Sequence, residues 1–262
     1  MQILISKSLS LLLLLLCMLA TGIDCAKYLK EKPDFLTPCN LADANLNKCL
    51  AANVQGIFVQ WKDGLPGKNS IGSFDPLLLK RVKIEQDASS TIAINADMKD
   101  VHVTGASKLI IKDANYNADK YVIKAVAFVP KLRFEFDYKL KGHVLALNLD
   151  GQGKGSFEAD KMLMLLEMGV KPRNTPEANF ADVQYFKVGF KDIGNFHIQL
   201  HNLIAGNPEL EKSAHTLINE NWRQFYEVLK PAIEQTIEAV LLDRSTKILN
   251  YVPATYIIDN FH

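Results

Sequence analysis

Near the end of the chain, from Glu209 to Asn250, apolar residues recur at Ile218, Trp222, Phe225, Leu229, Ile233, Ile237, Val240 and Leu241. This three-and-four spacing places them on one face of an α-helix. The other face carries Glu220, Arg223, Gln224, Glu227, Lys230, Glu234 and Glu238, which are expected to be solvated. Pro208 and Pro253 bracket the pattern and suit a helix start and stop. A helix of this extent is about 60 Å long. A round globule of this chain length is only about 45 Å across. The chain must therefore be elongated around the helix or break it, and Pro231 is the expected kink because it removes a backbone donor.

The N-terminus has a different character. Lys7 precedes an apolar run from Leu9 to Ala20, followed by small residues, the pattern of a secretory signal peptide over residues 1–25. Cleavage fits after Gly22 or after Cys25. Cysteine parity favours the second, because Cys39 and Cys49 then remain as an even pair. Residues 26–262 are expected to form a single domain. A secreted chain permits a Cys39–Cys49 disulfide. With 48% apolar residues the chain can bury a large core. Its net charge of +1 gives no reason to expect nucleic acid as a partner. No later segment is long and apolar enough for stable membrane insertion.

Between these ends, the reading is a short helix from Pro33 to Ala52, turns around Gly64–Pro76, then β structure from Arg81 to about Leu203. Leu132, Phe134, Phe136, Tyr138 and Leu140 alternate with Arg133, Glu135, Asp137 and Lys139, a strand with one dry and one wet face. The segment 121–129 is apolar in both phases and is expected to be covered on both faces. The glycines of Asp150–Gly155 are expected to form a hairpin turn, and Lys191–Gly194 a second. Residues 171–183 read as a polar loop. Strands followed by one long helix give an α+β fold, with an antiparallel sheet packed on the C-terminal helix.

Taken in order, several short motifs resemble the insect takeout and haemolymph juvenile-hormone-binding proteins. They are Pro38-Cys39 with Cys49-Leu50, Gly64-Leu65-Pro66, and Phe74 to Leu77. Gly105, Tyr138 with Gly142, Gly151 to Gly155, and His201-Asn202-Leu203 follow. Asn219 to Trp222, Leu229 to Pro231, and Val252-Pro253 complete the set. The resemblance spans the mature chain, and the single available disulfide makes it takeout-like. It implies a long C-terminal helix wrapped by a strongly curved antiparallel sheet, with a short N-terminal helix near one end. It also implies an apolar tunnel between helix and sheet, holding a small hydrophobic ligand. Phase and resemblance together nominate Trp222, Phe225, Leu229, Ile233, Ile237, Val240, Leu241, Phe134 and Phe136 as tunnel candidates.

Other constellations carry less. His197 and His201 have zinc-like spacing, but in a strand they stand about 13 Å apart. The glycines near Gly153 lack the Lys-Ser/Thr pair of a phosphate loop. No Gly-x-Ser-x-Gly nucleophile elbow occurs. The expectation is a secreted, monomeric carrier, not an enzyme, without metal or cofactor. The alternative is a protein- or membrane-surface module with a solid core. Intact mass before and after thiol alkylation checks the processing: a chain beginning at Ala26 with no free thiol is expected.

Overall fold

Two strands of unusual length set the frame. The structure, a computed structural model, describes residues 27–68, 70–86, 92–144 and 147–261. The expected signal segment and the Ala26 terminus lie outside them. The elements are α1 (Leu46–Gln60), β1 (Leu77–Gln86), β2 (Ile92–Thr104), β3 (Ile110–Asn117), β4 (Val122–Val144), β5 (Leu147–Asn174), β6 (Asn179–Asp192), β7 (Asn195–Leu200), α2 (Pro208–Glu220) and α3 (Trp222–Leu249). The strands form one antiparallel, curved sheet in the order β1-β2-β4-β5-β6, with β3 also on β4 and β7 also on β5. β4 and β5 pair from Val122↔Gly169 to Val144↔Leu147. A straight strand of 28 residues, the length of β5, would run about 90 Å.

The sheet is divided across its middle. Buried positions on β4 are odd at Ala125, Ala127 and Val129 but even at Phe136, Tyr138 and Leu140. On β5 they pass from Leu149 and Ala159 to Met162 and Met164. Both changes fall at one level, where Pro130 separates the pairs Val129↔Met162 and Lys131↔Asp160 and Lys161 adopts φ 52°. A left-handed residue interrupts the regular pleat. At the same level β2 gives way to β3 through Gly105 (φ 99°), where an added Cβ would lie 2.3 Å from the Lys131 carbonyl oxygen. On the far side β6 gives way to β7 at Gly194, whose N–H donates to the Asp160 carbonyl. Each half of the sheet buries its own core, one around Met98, Val101, Phe136, Leu140 and Leu203, the other around Ile111, Ala127, Val129, Met162 and Val188. Leu132 packs against both.

This frame corrects several expectations. Asp150–Gly155 is strand, not turn, and lies inside β5. Its glycines allow the His201–Leu203 segment to lie close: a Cβ on Gly153 would meet the His201 carbonyl oxygen at 2.5 Å. Residues 171–183 are mostly strand, because β5 runs to Asn174 and β6 starts at Asn179. β6 and β7 are not a hairpin; both pair antiparallel with β5, end to end along one edge. The first helix begins at Leu46 and extends to Gln60. The outer side of segment 121–129 is partly open. Val126 and Phe128 pair with Leu165 and Leu163, and Leu165 and Ile110 remain exposed. The C-terminal helix breaks at Asn221, not at Pro231, which lies inside α3. The Asn221 side-chain amide donates to the Leu217 carbonyl at 2.9 Å, competing locally with the helical ladder. Pro231 and Glu227 are exposed, so the carbonyl deprived of its donor faces water.

Helix side chains close the sheet edges. On β3, Gln55 of α1 donates to the Leu109 carbonyl and accepts from Ile111 N–H. On β7, Asn219 of α2 accepts from Ile198 N–H and donates to the Ile198 carbonyl, while His215 Nε2 accepts from Leu200 N–H at 3.0 Å. On β6, Glu238 and Glu234 of α3 accept from Val188 and Phe190 N–H. Those two glutamates, expected on the solvated face, are half-buried edge caps. At the α1 end, the Cys39–Cys49 disulfide (Cα–Cα 5.8 Å) ties α1 to the N-terminal segment. Buried Asn53 bonds Thr37 on both backbone groups and donates to the Ile257 carbonyl.

His215 can accept from Leu200 N–H only as a neutral imidazole. Burial holds its pKa below the ordinary value; Glu211 opposes this, and His201 and His197 reinforce it. The unfolded chain therefore binds more protons than the folded one near the ordinary histidine value, about 6.5, so stability rises with pH there. Acidification through that value is expected to erode stability until the folded pKa is passed. Urea unfolding at about pH 7.5 and pH 5 tests this: His215→Gln, whose amide carbonyl accepts at both, is expected to lose less on acidification than the native chain.

Candidate ligand-binding interior

α3 lies against β6 and approaches β1, the two ends of the strand order β1-β2-β4-β5-β6. A sheet whose opposite edges meet one helix encloses a face of that helix. The exposed positions Gln224, Glu227, Pro231, Gln235 and Ala239 define the outward side of α3. At 100° per residue, Trp222, Tyr226, Leu229, Ile233, Ile237 and Val240 lie on the opposite, sheet-facing side. Between Phe225 and Ile248 none of the helix is buried. A solid core would bury such a stripe, since protein interiors pack as densely as organic crystals.

The nine nominated residues separate into three groups. Phe225 and Phe136 are buried in one core, with Phe134 packed against it. Trp222, Ile237 and Leu241 are half-buried against the other. Leu229, Ile233 and Val240 are half-buried and belong to neither core. That third group marks a length of helix whose apolar side chains lie on the sheet-facing side and are only half-buried. The helix is held there by Glu234 and Glu238 on β6, and by Lys187 bonded to Glu238.

A chain of aromatic rings links the sheet to this helix. Phe134 stacks on Phe157 at 3.9 Å, Phe157 meets Phe196 at 5.4 Å, and Phe196 meets Trp222 at 6.3 Å. Trp222 meets Tyr226 at 6.5 Å, and Tyr226 stands edge-on to Phe190 at 6.1 Å. Offset and edge-to-face pairs at these separations are favourable beyond their buried area. The Tyr226 hydroxyl oxygen is buried and has no hydrogen-bond partner, a condition costing about 1–3 kcal/mol. Burial, reinforced by Glu234 and Glu227, pushes its pKa well above the ordinary phenol value, so it stays a protonated donor. Sequence reasoning missed Tyr226, Phe157, Phe190 and Phe196. Tyr226 was detectable, being in phase with Ile233 and Ile237 and carrying a polar hydroxyl.

Elsewhere the polar constellations are structural. Asp75 accepts from Gly105 N–H, Ser107 N–H and the Ser107 hydroxyl. Burial raises its pKa, but the Ser107 and Gly105 bonds outweigh it and hold the carboxyl below its usual value. The Asp75 carboxylate therefore anchors the turn between β2 and β3. Among the described residues, no three His, Cys, Asp or Glu side chains are grouped to hold a metal ion, and no helix is long and apolar enough to cross a membrane.

This architecture, a long helix against a curved antiparallel sheet, is the takeout fold. Takeout 1 of Epiphyas postvittana superimposes with a TM-score of 0.72 at 21% identity, covering 85% of this chain and 99% of that one. Residues 12–259 match the family described as haemolymph juvenile hormone binding protein (JHBP), and the chain belongs to that family. Curated relatives include the circadian clock-controlled protein daywake of Drosophila melanogaster, 21% identical over 210 residues, and of Drosophila yakuba, 23% identical over 216. Each alignment covers 78% of this chain and 79% of the relative.

The incomplete burial of the stripe has a measurable consequence. In delipidated protein, Leu229→Ala and Ile233→Ala are expected to cost less than about 2 kcal/mol, whereas Leu140→Ala and Met162→Ala, one in each core, cost about 2–5 kcal/mol. Urea unfolding of the four variants at matched m-value decides it; equal losses in both pairs would mean the stripe is packed.

Proposed function

We propose that the protein is a secreted, monomeric carrier that holds a small hydrophobic ligand, a terpenoid, fatty acid or similar lipid, in the apolar interior between α3 and the sheet. The observation that carries this reading is the run of α3 from Tyr226 to Lys247 without a buried residue, on the side turned to the concave sheet. An apolar surface of that kind gains about 25 cal/mol for each Å² removed from water, so a long apolar molecule is the occupant it favours. Pockets for such ligands are mainly apolar and aromatic, with few polar groups, as the rings from Phe134 to Phe190 provide. Membership in a family described by a hormone-binding function supports the same reading. The N-terminal apolar run and the Cys39–Cys49 disulfide support secretion. In this role the chain binds and releases, without chemistry.

A second reading, docking on a protein or lipid surface, draws on the outer side of the sheet. There Ile110, Val126, Phe128, Leu163 and Leu165 are brought together by strand register.

Ligand binding restricted to the folded state is expected to stabilise delipidated protein by roughly 2.7 kcal/mol at a hundredfold excess over the dissociation constant. Thermal-shift titration with a long-chain alcohol, ketone and terpenoid ester reads this out. Ile233→Arg, placing a charge on the inward face, is expected to abolish the shift while the chain stays folded by circular dichroism. Absence of any shift, together with retention on liposomes, would favour the surface-docking reading instead.

A further inference from the structure

Resting on the carrier reading, we infer that Tyr226 is the polar anchor of the site: its hydroxyl donates a hydrogen bond to a neutral acceptor, a ketone, ester or ether oxygen, on an otherwise apolar ligand. Among the described residues, Tyr226 carries the only buried side-chain oxygen or nitrogen without a partner. Buried hydroxyls almost always find one, so its isolation calls for a physical account. A trapped water does not supply it. Such a water needs two or more further polar partners, the oxygen has no accessible surface, and the ring's aromatic neighbours are Phe190 and Trp222.

The position fits a ligand. Tyr226 sits in phase with Ile233 and Ile237, on the inward side of α3, between Trp222 and Phe190 in the aromatic chain. Its ring is only half-buried although its oxygen is covered. The hydroxyl therefore reaches an acceptor in the open stretch by a swing of the side chain, and the hydrogen bond gained favours that swing. Burial first, then Glu234 and Glu227, hold the hydroxyl protonated. Arg223 is taken up elsewhere, bonding the Ile193 carbonyl and stacking over Trp222. A carboxylate ligand would lose hydration on entering the apolar interior that a single phenol hydroxyl does not replace, whereas a neutral carbonyl needs only one donor. The site thus selects neutral oxygenated lipids over fatty-acid anions at equal chain length.

Displacement of bound N-phenyl-1-naphthylamine from the delipidated full chain tests this, using 2-heptadecanone, palmitate and heptadecane on the native protein and on Tyr226→Phe. The ketone is expected to bind the native protein more tightly than palmitate, and roughly three- to tenfold more weakly to Tyr226→Phe, with heptadecane unchanged. Ligand-free Tyr226→Phe is expected to melt no lower than the native chain, since the hydroxyl it loses has no partner. Equal ketone affinity in both proteins, a lowered ligand-free melting temperature, or tighter binding of palmitate would each overturn the inference while leaving the carrier reading intact. If the native protein displaces the probe with none of the three, the carrier reading falls and this inference with it.

Discussion

The constraint on which this structure rests is the need to satisfy the backbone groups along the edges of its sheet. The chain meets it with side chains. Gln55, His215, Asn219, Glu234 and Glu238 pair with edge N–H and carbonyl groups of β3 or the segment just before it, β7 and β6. Each helix is therefore fixed against an edge by polar bonds of defined length, and not only by interdigitation of apolar side chains. For α3 this has a direct effect. With its flank held on β6, its inward face need not collapse onto the concave sheet. An apolar stripe can then remain incompletely packed in a folded chain.

The division of the sheet at Gly105, Pro130, Lys161 and Gly194 gives the rest of the arrangement its plan. Two cores form, one in each half, and α3 starts where they adjoin, with Phe225 in one and Trp222 against the other. From there α3 runs along β6, carrying the half-buried residues Leu229, Ile233 and Val240, and ends with Leu249 in one of these cores and Ile248 in a third with Trp61 and Tyr251. The proposed binding role thus draws on a part of the helix that is less deeply buried than its ends. The aromatic chain from Phe134 to Phe190 crosses between sheet and helix, and within it the Tyr226 hydroxyl is buried without a partner.

Much of this was readable from residue periodicity. The period of two at Leu132–Leu140 located a strand with a buried face, and Phe136, Tyr138 and Leu140 are buried. The period near 3.6 located the helix and its inward face. Where structure and periodicity part, the cause is shared: distant backbone overrides the local rule. Gly151, Gly153 and Gly155 look like turn residues, but they are small because residues 200–203 cross over them. Lys191–Gly194 looks like a hairpin because nothing in its sequence reveals that β5 is long enough to pair with both flanking strands. Asn221 outweighed Pro231 as a break because it competes for a carbonyl, whereas the proline's lost bond faces solvent. Glu234 and Glu238 were read as solvated, since amphipathic phase cannot distinguish water from an unpaired strand edge. The half-burial of the stripe is a property of tertiary spacing, invisible to any pattern.

The closure at the α1 end carries a consequence for how the molecule is made. Leu29 N–H bonds the Tyr251 carbonyl, Cys39 N–H bonds the Ile257 carbonyl, and Asp259 N–H bonds the Cys39 carbonyl. These contacts join the first described residues to the last. During vectorial synthesis the sheet strands emerge and can pair in order, but the partners of the N-terminal segment are made only after all of those strands. The loop they close spans most of the chain, and its entropic cost is met only when those residues arrive. This end of the fold is therefore finished after the sheet, so a chain stalled shortly before Tyr251 would hold its sheet but lack its cap.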